Sequence, residues 1–342
     1  MKFIEQNENE ICQEMESLGL PKFRGKQVFD AMVNGLSLDE ISVFSRDFKQ
    51  KIAEFYPKNK IFKKFISKDG TKKYLIQFED GAIVECVLMS YKYGDTLCLS
   101  TQIGCRMGCK FCASTLNGLE RNLTAGEMLS EVYLINRDNG GSRKNRSITN
   151  LVLMGSGEPL DNFDNVCKFL EMISSSETLN ISERNISLST CGLVDKIKEL
   201  ADKNYGISLT ISLHATTDEE RKKIMPIANR WSIVQILDAC DYYFSKTGRR
   251  FYIEYTLVKG VNDSAIDAQR LASLLKGKTC HVNLIMLNPV AERELSSTDR
   301  KEAEKFCKKL NELGVSATIR RSMGQDIAGA CGQLRNKFVR KV

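Results

Sequence analysis

From Asp95 onward the chain alternates short apolar runs rich in β-branched residues with amphipathic stretches of helical period, and it does so six times. Strands are expected near 96–102, 149–154, 185–190, 207–213, 250–257 and 282–287. The intervening helices show their period directly. Val166, Phe169, Leu170 and Ile173 follow i, i+3, i+4, i+7, as do Ala303, Phe306, Cys307 and Leu310, and Gly314 is placed to stop the last helix. Strands that alternate with helices run parallel. Six units are too few to close an eight-stranded barrel, so the expected fold is α/β: a partial, open (βα)6 barrel with its site at the carboxyl ends of the strands.

Upstream the rhythm differs. Asn7 to about Lys51 reads as helical and polar, broken at Leu20-Pro21-Lys22-Phe23-Arg24, and suggests a small helical accessory unit. Lys73 to Phe78 and Ala82 to Ser90, joined by Glu79-Asp80-Gly81, read as a β-hairpin extension. The expected organisation is 1–55 helical accessory domain, 56–94 antiparallel β extension, 95–290 partial barrel, and 291–342 C-terminal helix, strand and cysteine loop. Asn139-Gly-Gly-Ser-Arg143 reads as a surface loop.

At 342 residues and 42% apolar content the chain can bury a full core. Its 12 cysteines are scattered through apolar elements, which suits buried small hydrophobes in a reducing compartment better than a secreted disulfide framework. The first residues lack an apolar signal region and no run approaches a membrane span, so a cytoplasmic protein without a membrane partner is expected. The net charge of +7 is unevenly spread: residues 57–73 hold seven lysines against Asp69. Other basic clusters are Arg143-Lys144-Asn145-Arg146, Arg249-Arg250, Arg320-Arg321 and the tail Arg335 to Lys341. Each alone reads as a solvated face, whereas together they favour a phosphate-backbone ligand.

The loop after the first barrel strand reads Gly104-Cys-Arg-Met-Gly-Cys-Lys-Phe-Cys-Ala113. A cubane iron-sulfur cluster normally takes four thiolates, so Cys105, Cys109 and Cys112 would hold one while leaving an iron open to a small molecule. The other reading is structural zinc, which is closed by four ligands, and the only histidines, His214 and His281, are remote in sequence. After the second strand, Leu153-Met-Gly-Ser-Gly-Glu-Pro-Leu160 offers a glycine turn for close backbone approach and the Glu158 carboxylate for an ammonium group; by itself it reads equally as a tight strand-to-helix turn. Ser189 and Ser212-Leu-His214 fall at later strand ends, and His214 alone would suit a structural histidine. Cys98 and Cys331 stand apart from the cluster motif, the latter in the small-residue loop Asp326 to Leu334.

These motifs resemble the RlmN/Cfr family of radical S-adenosylmethionine (SAM) RNA adenine methyltransferases over about Phe23 to Leu334. The resemblance rests on Thr96 to Ser100, Gly104 to Ala113, Arg121 to Glu127, Met154 to Leu160, Ser212 to His214, Met225-Pro226, Gly260 to Asp263, Asn283 to Pro289 and Ala330 to Leu334. It implies a 4Fe-4S cluster on Cys105, Cys109 and Cys112, and SAM contacts at Gly157, Glu158, Ser189, Ser212, Leu213, His214 and Asn288. It further implies a methylated Cys331, a second catalytic cysteine at Cys98 that forms a disulfide with it, and an acid/base at Glu85. Alternation alone leaves Glu85 free to point outward. Gly157-Glu158-Pro159-Leu160 resembles the housekeeping RlmN branch, while Ser156 and Ala113-Ser-Thr115 depart from the usual pattern.

The implied reaction methylates C2 of an adenosine in the peptidyl-transferase centre of 23S rRNA and in the tRNA anticodon loop, using two SAM per turnover and a reductant such as flavodoxin or ferredoxin. Because C2 lies between two ring nitrogens and is electron-poor, it cannot attack the SAM methyl directly, and the carbon is stored on Cys331 first. The unstacked adenine would be gripped by the N-terminal helices and the lysine-rich segment of a monomer. Other readings are Cfr-like C8 methylation conferring ribosomal antibiotic resistance, a non-enzymatic iron-sulfur RNA-binding protein, and a radical SAM enzyme acting on a protein or small molecule.

Overall fold

The computed structural model describes residues 2–334; the basic tail from Arg335 lies outside them. Helices α1 (Glu8–Ser17), α2 (Phe23–Val33) and α3 (Arg46–Ile52) form the N-terminal unit. Asn7 and Glu10 close a capping box at the start of α1, and Ser45 caps α3. The apolar faces of these helices, including Ile11, Met15, Phe29 and Ile52, belong to one core that continues to Ala317 in the barrel.

Strands β1 (Lys60–Ile66), β2 (Lys72–Gln77) and β3 (Ile83–Tyr91) are antiparallel neighbours. The expected hairpin is β2–β3, turned where the Asp80 carboxylate accepts from Ala82 N and Gly81 adopts φ 84°. β1 was not read as a strand, because its lysines mask the alternation. It is an edge strand with Lys60, Lys63 and Lys64 exposed, and lysines on an edge also discourage pairing with another chain.

β4 (Gly94–Leu99) is antiparallel to β3 and parallel to β7 (Ile148–Leu153), which makes it the hinge between the two halves of the sheet. Between them lie β5 (Gln102–Gly104), β6 (Leu119–Asn122) and helix α4 (Ala125–Asp138). The array then runs α5 (Phe163–Ser174), β8 (Ile186–Thr190), α6 (Val194–Lys203), β9 (Ser208–Ser212), α7 (Asp218–Ile224), α8 (Ile233–Thr247), β10 (Phe251–Leu257), α9 (Ala265–Leu275), β11 (Cys280–Met286), α10 (Arg300–Glu312) and β12 (Ala317–Ile319).

The sheet order is β1-β2-β3-β4-β7-β8-β9-β10-β11-β12, with β1 and β12 as its two edges. All six expected barrel strands are present. Beyond these six, the strand expected in the C-terminal segment is β12, a brief parallel strand beside β11. Leu151, Leu188, Leu209 and Ile253 point to the helices and are fully buried, and the alternate residues of the same strands line a concave inner face. Among the described residues no helix is long and apolar enough to cross a membrane.

The lysine-rich segment is not one surface. Lys60, Lys63, Lys64 and Lys68 are exposed, whereas Lys73 is buried and ion-paired with Glu85 at 3.3 Å. Lys64 pairs with Asp138 at 2.7 Å and Lys72 donates to Asn139 at 2.6 Å. Arg143 is likewise turned inward, bridging Glu8 and Asp30 of the N-terminal helices.

Behind the β3–β4 pair, Glu131 of α4 is fully buried. Its Oε2 accepts from Ser100 N at 2.9 Å and from the Cys86 thiol at 2.8 Å. Burial pushes its pKa from 4.5 up to about 8. The folded chain therefore holds a proton that the unfolded chain has released, so this stabilisation is complete below about pH 4.5 and is lost as the pH rises toward 8. Glu131→Gln should remove that loss, gaining on the wild type by on the order of 1 kcal/mol per pH unit in the window. Urea unfolding at several pH values checks it: parallel stability curves would show that Glu131 is not held neutral.

Candidate active site

The site is built where β4 and β7 end. Leu99 O accepts from Gly155 N at 3.0 Å, and Ser156 O accepts from both Thr101 N (2.8 Å) and Gln102 N (3.1 Å). The Ser100 hydroxyl accepts from Ser156 N at 2.9 Å and donates to Glu85 O at 2.8 Å. A Cβ on Gly155 would lie 2.5 Å from Leu99 O, and Gly157, at φ 111°, would place one 2.7 Å from the Gln102 side chain. Glycine is thus forced by close approach at both positions. Ser156, which departs from the family pattern, contributes here chiefly through its backbone.

The cysteine loop spans the gap between β5 and β6. Gly104 (φ 77°) opens it, Cys105 N donates to Gly118 O at 2.9 Å, and Lys110 N donates to Ile224 O at 2.9 Å. The other departure from the family pattern is used structurally. Ser114 Oγ donates to Leu334 O at 2.7 Å, and Thr115 Oγ1 lies 3.1 and 3.0 Å from the carbonyls of Cys109 and Cys112 and accepts from Arg293 at 2.9 Å. Ala113 N donates to Gly332 O at 2.8 Å, so the cysteine loop and the Cys331 loop are directly joined.

A cavity of about 980 Å³, counting its open mouth, brings together Cys105, Cys109, Cys112, Gly157, Glu158, Ser189, Ser212, His214, Asn288 and Cys331. Three of the predicted residues lie outside its wall. The Leu213 side chain is in the core, its N–H donating to Glu254 O and its carbonyl accepting from Arg221 Nε. Cys98 lines an adjoining cavity of about 540 Å³, and Cys331 borders that one too. Glu85 lines neither. It sits on the β3 face shared by Val87 and Met89, which do line the Cys98 cavity, and it is buried rather than outward.

Burial pushes the Cys105 thiol up to about 12 and those of Cys109 and Cys112 upward as well. Desolvation disfavours the thiolate at all three, outweighing Arg221 near Cys109 and Arg293 near Cys112, and a metal group is what such a donor set fits. Among the described residues no three Cys, His, Asp or Glu side chains converge on a single ion. The three cysteines instead line one cavity, and a cluster whose ligands bind separate irons does not require them to meet on one ion.

The remaining wall is held in place by hydrogen bonds. Glu158 accepts from Cys191 N at 2.8 Å and Leu160 N at 3.1 Å, and burial raises its pKa. His214, at φ 58°, accepts from Thr256 N at Nδ1 (2.9 Å), so Nε2 carries the proton. Burial, then the nearby Arg221 charge, holds its pKa down at about 3. Asn288 is tied to the Cys331 loop: its Nδ2 donates to Cys331 O at 3.0 Å and its Oδ1 accepts from Gln325 at 2.8 Å. Desolvation pushes Cys98 up to about 12 and Cys331 up to about 11, with Arg320 pulling Cys331 the other way. Cys331 is exposed as a residue and borders both cavities. The disulfide implied by the resemblance is absent, since all the cysteines are free. The two thiols border one cavity without bonding.

Sequence reasoning missed three groups. Arg221, in the charged run Asp218 to Lys223, is fully buried and donates to Cys191 O at 2.6 Å and Ser212 O at 3.2 Å, bracing the floor under the serines. Glu254 is buried in the wall and pairs with Arg320 at 3.3 Å, so the half-buried Arg320 is engaged at the rim of the site rather than free on a basic surface. A lone carboxylate within the apolar strand Phe251–Leu257 was the available signal.

Residues 99–272 match the radical SAM superfamily. A Clostridium perfringens protein described as a probable dual-specificity RNA methyltransferase RlmN is 53% identical over 97% of this chain and 95% of its own length. A Clostridium botulinum protein of the same description is 52% identical over 93% of each. The crystal structure of a radical SAM methyltransferase from Sphaerobacter thermophilus superposes with a TM-score of 0.92 at 36% identity, covering 98% of this chain and 100% of that one.

Anaerobically reconstituted protein should bind about four irons, and Cys105→Ala, Cys109→Ala or Cys112→Ala should each lose most of that iron and its visible absorption. Wild-type iron content in any one of the three would remove that cysteine from the ligand set.

Proposed function

This chain belongs to the RlmN family of radical SAM RNA methyltransferases, and from that premise we propose that it methylates C2 of adenosine in the peptidyl-transferase centre of 23S rRNA and in the tRNA anticodon loop. A 4Fe-4S cluster and SAM follow from the family, and RNA is the substrate class. One observation carries the finer reading: Cys331 borders both the cavity ringed by the three cysteines and the cavity holding Cys98. A single thiol is thereby within reach of a methyl donor on one side and a resolving thiol on the other.

Bound in the larger cavity, cluster and SAM supply the methyl group and, with an electron from a flavodoxin or ferredoxin, one-electron activation of it. Glu158, Ser189, Ser212 and neutral His214 offer polar contacts for SAM, and Asn288 steadies the backbone of Cys331. Cys331 stores the methyl carbon and delivers it to C2 as a methylene bridge. Glu85 then takes the C2 proton as the adduct gives back the single electron used to activate it, and the Cys98 thiol captures the Cys331 sulfur as a disulfide while the released carbon takes up a proton to become the C2 methyl group. The N-terminal helices and edge strand β1 form the accessory RNA-gripping part of the chain.

Two expected results test this reading. Cys98→Ala should accumulate a covalent RNA–protein adduct, visible as a retarded band with labelled RNA on a denaturing gel, while Cys331→Ala and the double variant should give none. Turnover by Cys331→Ala would end the storage role, and nucleoside mass spectrometry of the product separates C2 from C8. Replacing exposed Lys60, Lys63 and Lys68 by Gln should weaken RNA binding and flatten the salt dependence by about two units of slope. An unchanged slope would leave those lysines as edge protection alone.

A further inference from the structure

Lys73 is a lysine that the sequence assigns to the surface and the fold does not. It lies on β2, buried, with its Nζ 3.3 Å from Glu85 Oε1 and donating to Ala328 O at 3.3 Å. The Phe65 ring of β1 covers the ammonium, its centroid 5.4 Å away. Taking a lysine out of water is costly unless each contact is used, and here the two polar contacts belong to different parts of the reaction. One is the proposed base. The other is a carbonyl on the loop that carries Cys331, three residues upstream of the thiol.

That loop is docked by other means as well. The turn between β1 and β2 grips it through Ser67 Oγ donating to Asp326 Oδ1 (2.5 Å), Lys68 N donating to Asp326 Oδ2 (3.1 Å) and Gly324 N donating to Asp69 Oδ2 (2.9 Å). Loop attachment alone therefore does not require a buried cation. Ala328, whose carbonyl Lys73 holds, has φ 50°, a left-handed conformation that a non-glycine residue keeps only where its surroundings enforce it. The contact fixes a strained point of the loop at a set distance from Glu85.

We propose that Lys73 is a positioning residue for the second half of the reaction: its ammonium, shared by the Glu85 carboxylate and the Ala328 carbonyl, registers the base against the loop that presents the Cys331–RNA adduct. The assignment rests on Glu85 being the base. It adds that the base and the loop are aligned through one cation, so the resolution of the adduct depends on Lys73 while storage of the methyl group on Cys331 does not.

The test resolves the two halves in the cluster-loaded protein. Cys331 methylation is read by peptide mass spectrometry, and adduct formation and decay are read on denaturing gels with a labelled 23S rRNA fragment spanning the peptidyl-transferase centre. Lys73→Gln should methylate Cys331 like the wild type but resolve the adduct at least about tenfold more slowly, a fraction of what a general base contributes. Lys73→Arg, which keeps the charge and can donate to both oxygens, should recover most of that rate. Normal resolution by Lys73→Gln, equal loss in the Gln and Arg variants, or a parallel loss of Cys331 methylation would each overturn the proposal. Glu85→Gln separates the premise from the inference. If it stalls resolution while Lys73→Gln does not, the inference fails and the base stands; if it resolves normally, the base is withdrawn and the inference with it.

Discussion

The backbone stitch between the ends of β4 and β7 is the constraint on which the site depends. Ser156 O takes two N–H groups from Thr101 and Gln102, and the Ser100 hydroxyl joins Ser156 N to the β3 carbonyl of Glu85. Three chain segments are thereby fixed at one point: the strand carrying the proposed base, the entry to the cysteine loop and the glycine turn before Glu158. Gln102 extends the stitch by accepting from Glu158 N at 2.8 Å. The absence of side chains at Gly155 and Gly157 follows from this crowding, because either Cβ would push the two strand ends apart.

The second half of the wall is assembled differently, through the C-terminal loop. Ser114 and Ala113 of the cysteine loop bond to Leu334 and Gly332, Asn288 bonds to Cys331, and Asp69 and Ser67 of the β1–β2 turn hold Gly324 and Asp326. Cys331 is thus suspended between the barrel rim and the antiparallel extension. A loop held from two sides can place one residue at the boundary of two cavities, which is the position the proposed carbon carrier needs.

Much of this was legible in the amino-acid order, for local reasons. The helical period of Val166 to Ile173 and the Asp80-Gly81 turn each depend on neighbours a few residues away, and each is where it was expected. The cavity wall was legible by a different route. Residues at the carboxyl ends of successive strands must converge, so Ser189, Ser212 and His214 could be grouped from strand count alone. What escaped depends on partners far apart in sequence. Lys73 looked like its exposed neighbours until the β2–β3 register put it beside Glu85, and Arg320 looked like a surface cation until β12 carried it to Glu254. Strand β1 was hidden for the opposite reason: at an exposed edge neither face is required to be apolar, so its period carries no signal.

Electrostatics ties these pieces together. Inside the larger cavity and its neighbour, burial holds the thiols of Cys98, Cys105 and Cys331 well above the usual range, keeps Glu158 toward its neutral form and keeps His214 unprotonated. Desolvation disfavours charge on each of them in the same way. The exceptions are the paired cations at the margin, Arg320 with Glu254 and Lys73 with Glu85, which flank the Cys331 loop on two sides. A positive charge placed beside any of these thiols would favour its thiolate, so the protein's own groups leave the Cys98 and Cys331 thiols protonated unless such a charge is brought to them.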